Sequence, residues 1–293
     1  MSRVGKKSIT LPDKVTVKVK NPYFEDMDSY YGLINEGKTA VIEMASCAGL
    51  PLVEDRKDPR KTTTYGVGQL ILAAAESGVE KIIVGLGGSS TNDGGCGAAA
   101  AVGVKFYDKD GKEFVPTGGT TADICKIDLS GKAEILNKVE IVTMCDIDNP
   151  MYGPTGASHI FGPQKGADEA MVLELDEGIK NLSRAITEAI GKDISEVPGT
   201  GAAGAMGAGM IAFFGSRLQM GIQTVLDTVK FDEMISDADY IITGEGKLDS
   251  QSLRGKVVIG IAERAKKQNK NVIAVVGGAD DAEIDKAYEM GVT

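Results

Sequence analysis

The sequence is short of the residues that most often build metal sites and nucleic-acid grooves. Its 293 residues hold one histidine, His159, and four cysteines, Cys47, Cys96, Cys125 and Cys145, widely spaced with no C-x-x-C pair. That excludes a histidine-rich metal site, a zinc ribbon and a dense disulfide frame, and it fits a reducing cytosol. Positive charge is scarce as well: 32 Lys and Arg stand against 42 Asp and Glu, a formal net charge of −10. Phosphate backbones bind clusters of basic residues, so nucleic acid is not the expected partner, and any bound anion has to be held locally. No run reaches about 18 apolar residues, and the basic N-terminus lacks an apolar core of signal-peptide length. The expectation is a soluble, cytoplasmic protein without a membrane partner, monomeric or homodimeric. With 42% hydrophobic residues, the chain is long enough for one large domain or two ordinary ones.

What is present is an alternation of strand and helix patterns. "DKVTVKVKN" alternates like a half-exposed strand, and "KTAVIEMAS", "KIIVGLG" and "EIVTMCDIDNP" read as short buried strands. "TTTYGVGQLILAAAESG" has helical spacing with threonine as its cap and Gly78 as its stop, and "CGAAAAVG" reads as a small helix. "VKFYDKDGKEF" reads as a hairpin around Asp110 and Gly111. Asp168 to Lys192 is an amphipathic helix, and the glycine-rich stretch from Val197 leads into another, tightly packed one. From Ala238 to Gly278 the order is strand, polar loop, helix, strand, the size of a βαβ crossover. In such α/β sheets ligands bind beyond the carboxyl ends of the strands, where "GGSSTNDGG" and "GEGKLDSQSLRGK" both fall.

The first of these loops, Gly87, Gly88, Ser89, Ser90, Thr91, Asn92, Asp93, Gly94 and Gly95, combines backbone N–H groups, three hydroxyls and one carboxylate ahead of a helix. It reads either as a phosphate cradle, with Asp93 holding Mg²⁺ or taking a proton, or as a tight turn in which Ser and Asn cap the helix. The second carries Glu245, Lys247, Asp249, Arg254 and Lys256 around Ser250, Gln251 and Ser252. It reads either as phosphoryl-transfer machinery or as a solvated loop with surface ion pairs. Asp146 and Asp148 end a strand before Pro150, as catalytic acids or as a turn, and "QKG" brings Lys165 toward an anion. His159 reads as a structural residue, and Met206, Met210, Phe213 and Phe214 as core. Neither loop fits a standard phosphate motif. "GTGAAG" does match G-x-G-x-x-G but has no strand ahead of it, so an NAD-dependent dehydrogenase is disfavoured.

"GLGGSSTNDGGCGAAAAVGVKF", "CDIDNP", "IFGPQKGA", "GTGAAGAMGAGM" and "ITGEGKLDSQSLRGKV", in this order between about Thr16 and Gly278, together resemble the type I glycerate kinases. These phosphorylate D-glycerate with ATP and Mg²⁺. The resemblance implies a two-domain α/β architecture, a larger mixed α/β domain facing a Rossmann- or flavodoxin-like domain across a cleft. It implies substrate or phosphate contacts from Gly87, Gly88, Ser89, Ser90, Thr91, Asp93, Ser250, Gln251 and Lys256, and metal contacts from Asp93 and Glu245. It further implies acids at Asp146, Glu245 and Asp249, with Asp146 or Asp249 as the base, and 2-phosphoglycerate as product.

Two departures from that pattern shape the domain reading. Members of the type begin with a strand and D-S-F-K-G-S-like and A-D-G-G-E-G-T-like loops, absent here, and continue beyond "AYEMGVT". "MSRVGKKSITLPDKVTVKV" instead resembles the start of bacterial ribosomal protein L6. The expected layout is therefore an atypical extension over 1–15, the larger domain over 16–235 and an incomplete Rossmann-like domain over 236–293. A parallel sheet without its first strands leaves an open edge and an uncovered apolar face, so the part from about Asp237 is expected to be marginally packed and turnover to be impaired. The alternative of another class is an inactive α/β module that binds an anion or a partner protein.

Overall fold

The computed structural model describes residues 13–249 and 252–292. The first twelve residues of the L6-like start, and Ser250 and Gln251 of the second polar loop, lie outside the described residues. The chain divides into two compact units, Met1–Leu218 and Gln219–Thr293.

The first unit is built on a six-stranded sheet. Its first three strands, β1 (Asp13–Lys20), β2 (Asp26–Ile34) and β3 (Thr39–Glu43), form an antiparallel meander. In β1, Val15, Val17 and Val19 point inward between Lys14, Thr16 and Lys18, which is the alternation expected of a sheet with one wet face. Helix α1 (Ala45–Ala48) follows β3, and α2 (Tyr65–Glu76) leads into β4 (Lys81–Gly85), which lies parallel to β3. After α3 (Cys96–Ala101), a small antiparallel sheet is made by β5 (Lys105–Tyr107), β6 (Glu113–Phe114) and β7 (Lys126–Asp128). Strand β8 (Glu140–Met144) then returns parallel to β4. Helices α4 (Ala157–Phe161), α5 (Glu169–Ile190) and α6 (Ala202–Phe214) precede the edge strand β9 (Arg217–Gln219), and the sheet order is β1-β2-β3-β4-β8-β9.

The central parallel strands are apolar because both faces are covered: Ile82, Ile83 and Val84 of β4 and Ile141 and Val142 of β8 are all buried. Helix α2 covers the sheet with Val67, Leu70, Ile71 and Ala74, and a Cβ on Gly68 would come within 2.2 Å of the Ala98 carbonyl, which is how closely α3 packs on it. Asp168 caps α5, accepting from the Met171 N–H at 2.8 Å, and Val172, Leu175, Ile179, Leu182 and Ile186 form its buried stripe. In α6 the buried face runs right round the helix and ends in Phe213, edge-on to Phe106 at 5.8 Å.

The second unit is smaller. It has α7 (Gly221–Thr228), α8 (Phe231–Met234), β10 (Tyr240–Glu245), α9 (Val257–Lys266), β11 (Asn271–Val276) and α10 (Asp281–Glu289), with β10 parallel to β11. Residues 219–235, which the sequence pattern grouped with the first domain, pack here. Arg264 of α9 bonds Asp232 at 2.6 Å and Asp227 at 2.7 Å, and Ile235 joins Ile241 and Val272 in one buried cluster. Alternation along the two strands buries Ile241 and Val272 but leaves Tyr240, Ile242 and Val275 between 64% and 72% exposed. Fully burying such a side chain stabilises by about 1.5–3 kcal/mol, so this sheet face withholds stabilisation that the first unit's core obtains from central strands such as β4 and β8.

Candidate active site

The geometry of the site follows from strand register. Glu43 lies beside Gly85, and Gly85 beside Met144, so the loops leaving β4 and β8 start next to each other at the carboxyl ends of parallel strands. Between them lies a cavity of about 400 Å³. Its walls are Gly85, which ends β4, with Leu86 to Ser89 after it, Met144, which ends β8, with Cys145 to Ile147 after it, Phe161 at the end of α4, Gln164 and Lys165 beyond it, and Ala202 and Ala203 at the start of α6. The structure therefore brings Gly87, Gly88, Ser89 and Asp146 together, four positions singled out in the sequence.

The rest of the glycine-rich loop is stitched into the protein beneath that surface. Gly88 sits at φ +71°, a conformation glycine adopts without strain, and its carbonyl accepts from Leu50 N at 2.9 Å. Ser89 bridges Gly49, while Ser90 donates both its N–H and its hydroxyl to the Ala48 carbonyl at 2.9 Å. The Thr91 carbonyl accepts from Lys165 Nζ at 2.6 Å, and Asn92 Nδ2 donates to Ser158 at 3.1 Å. Two buried atoms of this loop, the Thr91 hydroxyl and Asn92 Oδ1, have no hydrogen-bond partner among the described residues.

Asp93 is the point where sequence and structure differ most. It is completely buried, and one oxygen accepts from Thr64 N at 2.8 Å, Thr64 Oγ at 2.9 Å and Gly97 N at 3.1 Å while the other accepts from Gly95 N at 3.1 Å. Burial pushes the carboxyl above the usual carboxylate range even though all four donors pull it down. A side chain so enclosed has its lone pairs committed to the protein, so the expected metal and phosphate contacts at Asp93 give way to an anchor that fixes the loop. Thr64, expected to cap α2, makes no cap bond; its hydroxyl joins Asp93 and accepts from Ala98 N at 2.9 Å instead.

The glycines of "GTGAAG" also have a packing reason. A Cβ on Gly201 would sit 2.1 Å from the Pro150 carbonyl, and one on Gly204 would sit 2.1 Å from the Thr91 carbonyl. They let α6 press against the loops after β8 and β4, and no strand leads into them. Ala203, Gly204 and Ala205 all have positive φ, at 56°, 69° and 64°. Alanine rarely adopts that region, which is why sequence periodicity missed a kinked wall. Gly204→Ala adds the carbonyl clash to the same backbone strain. It is expected to cost about 2–4 kcal/mol, read as a lower urea midpoint at unchanged slope.

Lys165 is 1% exposed, and desolvation holds its ammonium down to about 7 against the opposing pull of Asp93. His159 keeps to a structural place, with Nε2 3.7 Å from Asp176, which itself accepts from Gly153 N. Asp148 and Pro150 continue the loop after β8, whose Asn149 side chain donates to the Thr155 carbonyl at 2.8 Å.

In the second unit, Glu245 ends β10 and its buried Oε1 has no partner among the described residues. Asp249 accepts from Ser252 N at 3.1 Å and heads the 3-10 turn Ser252–Arg254, while the Ser252 hydroxyl donates to the Lys247 carbonyl. Lys247 pairs with Asp280 at 2.7 Å, and Lys256 is the exposed residue that starts α9. Among the described residues no group of three or more acid, histidine or cysteine side chains is placed to hold a metal ion, and no helix is long and apolar enough to cross a membrane.

A glycine-rich loop, an acid and a buried lysine thus meet around one cavity at the ends of parallel strands, the place where α/β sheets bind their ligands. The chain belongs to the glycerate kinase family, whose model matches residues 6–293. It is 42% identical to a glycerate kinase of Halalkalibacterium halodurans over 96% of this chain and 74% of that one. It is 45% identical to the glycerate 2-kinase of Escherichia coli K12 over 94% of this chain and 72% of that one. A crystal structure described as that of a glycerate kinase 2 from Salmonella typhimurium LT2 superposes with a TM-score of 0.83 at 38% identity, covering 95% of this chain and 79% of that one.

Proposed function

We propose that this protein transfers the γ-phosphoryl group of ATP to a hydroxyl of D-glycerate, giving 2-phosphoglycerate. The observation that carries the reading is the cavity in which Gly87, Gly88, Ser89, Asp146 and Lys165 meet beside β4 and β8. In the transfer the substrate hydroxyl oxygen forms a bond to the γ-phosphorus as the bond to the bridging β,γ-oxygen breaks, ADP leaves, and the hydroxyl proton passes to a base. Asp146 fits that base because it lines the cavity. The loop at Gly87 to Ser89 presents main-chain polar groups and a hydroxyl to an anion without adding net positive charge.

The magnesium ion of the family fits this chain only in part. Asp93 does not suit it, since its oxygens already take four donors. Glu245 does, since a buried carboxylate oxygen without a partner is the kind of hard donor such an ion uses, one or two carboxylates being enough beside the phosphates. Bound with ATP, Mg²⁺ would neutralise charge on the phosphate oxygens. All four cysteines are free, in keeping with the cytosol, where the nucleotide is available.

A coupled assay of ADP release tests the reading. Release that requires both D-glycerate and Mg²⁺, with ³¹P NMR placing phosphorus on the 2-oxygen, is the expected result. Calorimetric heat with glycerate and ATP but no turnover would instead leave an anion-binding module.

A further inference from the structure

Among the described residues lining the cavity, the charged side chains are Asp146 and Lys165. Lys165 belongs to the turn Pro163–Lys165 after α4, and one of its three ammonium donors is used on the Thr91 carbonyl, its single hydrogen bond among the described residues. A lysine this buried is held against a desolvation penalty, which an incoming anion would relieve. We propose that Lys165 is the cation that takes the carboxylate of the acceptor, so that the site selects hydroxy acids over neutral polyols. The proposal rests on the phosphoryl-transfer reading above. In a 2-hydroxy acid the hydroxyl and the carboxylate are on adjacent carbons, so their partners have to line one cavity, as Asp146 and Lys165 do. The carboxylate cannot face Asp146, which carries the same charge, and the main-chain groups of the glycine loop remain for phosphate.

The test compares D-glycerate with glyceramide, its neutral amide, in wild type, Lys165→Met and Lys165→Arg. Methionine keeps the apolar stem and removes the charge. The expected result is a glycerate KM raised about 30- to 100-fold in Lys165→Met, the size of a lost hydrogen bond to a charged group. The loss in kcat/KM for glyceramide should be at least about tenfold smaller than that for glycerate, so that discrimination between acid and amide collapses, and Lys165→Arg should recover part of it. An equal loss for acid and amide, or a raised KM for ATP with glycerate unchanged, overturns the proposal. Should Lys165→Met fail to fold, calorimetry of glycerate binding to wild type without ATP decides. Asp93 below the loop is the charge that acts on the Lys165 ammonium and Asp146 shares its cavity, and a carboxylate added to them raises the ammonium's affinity for its proton. Binding near pH 8 should therefore take up protons, seen as a buffer-dependent enthalpy, and its absence overturns the proposal. Binding that depends on Lys165 without any turnover would sink the kinase reading alone. Turnover with discrimination intact in Lys165→Met would sink this inference alone.

Discussion

Asp93→Ala is expected to lower the midpoint of thermal unfolding by about 10 °C and to remove activity with it. Alanine leaves the N–H groups of Thr64, Gly95 and Gly97 facing an apolar gap, with a threonine hydroxyl beside them. Each buried donor without a partner costs about 1–3 kcal/mol, with partial relaxation bringing the sum to about 4 kcal/mol. For a unit of this size each kcal/mol shifts the midpoint by about 2–4 °C. Activity falls because Asp93 fixes the loop that supplies Gly87 to Ser89 to the cavity. Asp93→Asn, which keeps one acceptor and points an NH₂ at other donors, should fall between the two. The pH dependence has a defined sign. The folded carboxyl is held above its unfolded value by burial, so the folded protein binds the proton more tightly, and the contribution of this group is fully present below about pH 4. It is lost as pH rises through the folded value, and urea titrations of Asp93→Asn should lack that component. An Asp93→Ala protein as stable and active as wild type would show that the four bonds are not what holds the loop.

That expectation shows where sequence reading succeeds and where it stops. The parallel strands were legible because burial on both faces demands apolar runs such as "KIIVG", and the cavity's place followed from where those runs break into glycine and acid. The role of Asp93 was not legible. A carboxylate turned outward to a ligand and one turned inward to amides use the same residue in the same loop, and Thr64, which decides the matter, lies 29 residues earlier. The left-handed turn at Ala203 and Ala205 left no trace either, since alanine carries no preference for it and only Gly204 marks the spot. Lys165 stood out as a cation near an anion site, but its burial depends on packing against the Thr91 loop, a contact across 74 residues. The grouping of residues 219–235 was not legible for a similar reason, since it rests on Arg264 bonding Asp227 and Asp232 from α9.

The choice of base is open to the most decisive substitution. Asp146 and Asp249 are equivalent as sequence, each an acid after a strand, and they differ in their surroundings. Asp146 is an exposed residue on the wall of the cavity. Asp249 accepts from the Ser252 N–H and returns its own N–H to the Ser252 hydroxyl, a reciprocal cap on a short turn. Asp146→Asn is therefore expected to lower kcat by about 1,000-fold, the middle of the range for a positioned general base. The KM for glycerate should shift by no more than a few-fold, and stability by less than about 0.5 kcal/mol. Asp249→Asn keeps a capping oxygen of similar strength, so it should cost less than about 0.5 kcal/mol and leave kcat within a few-fold. Steady-state kinetics beside urea unfolding distinguish the two. Were Asp249→Asn to abolish turnover at intact stability while Asp146→Asn stayed active, Asp146 would not be the base but a turn residue before Pro150.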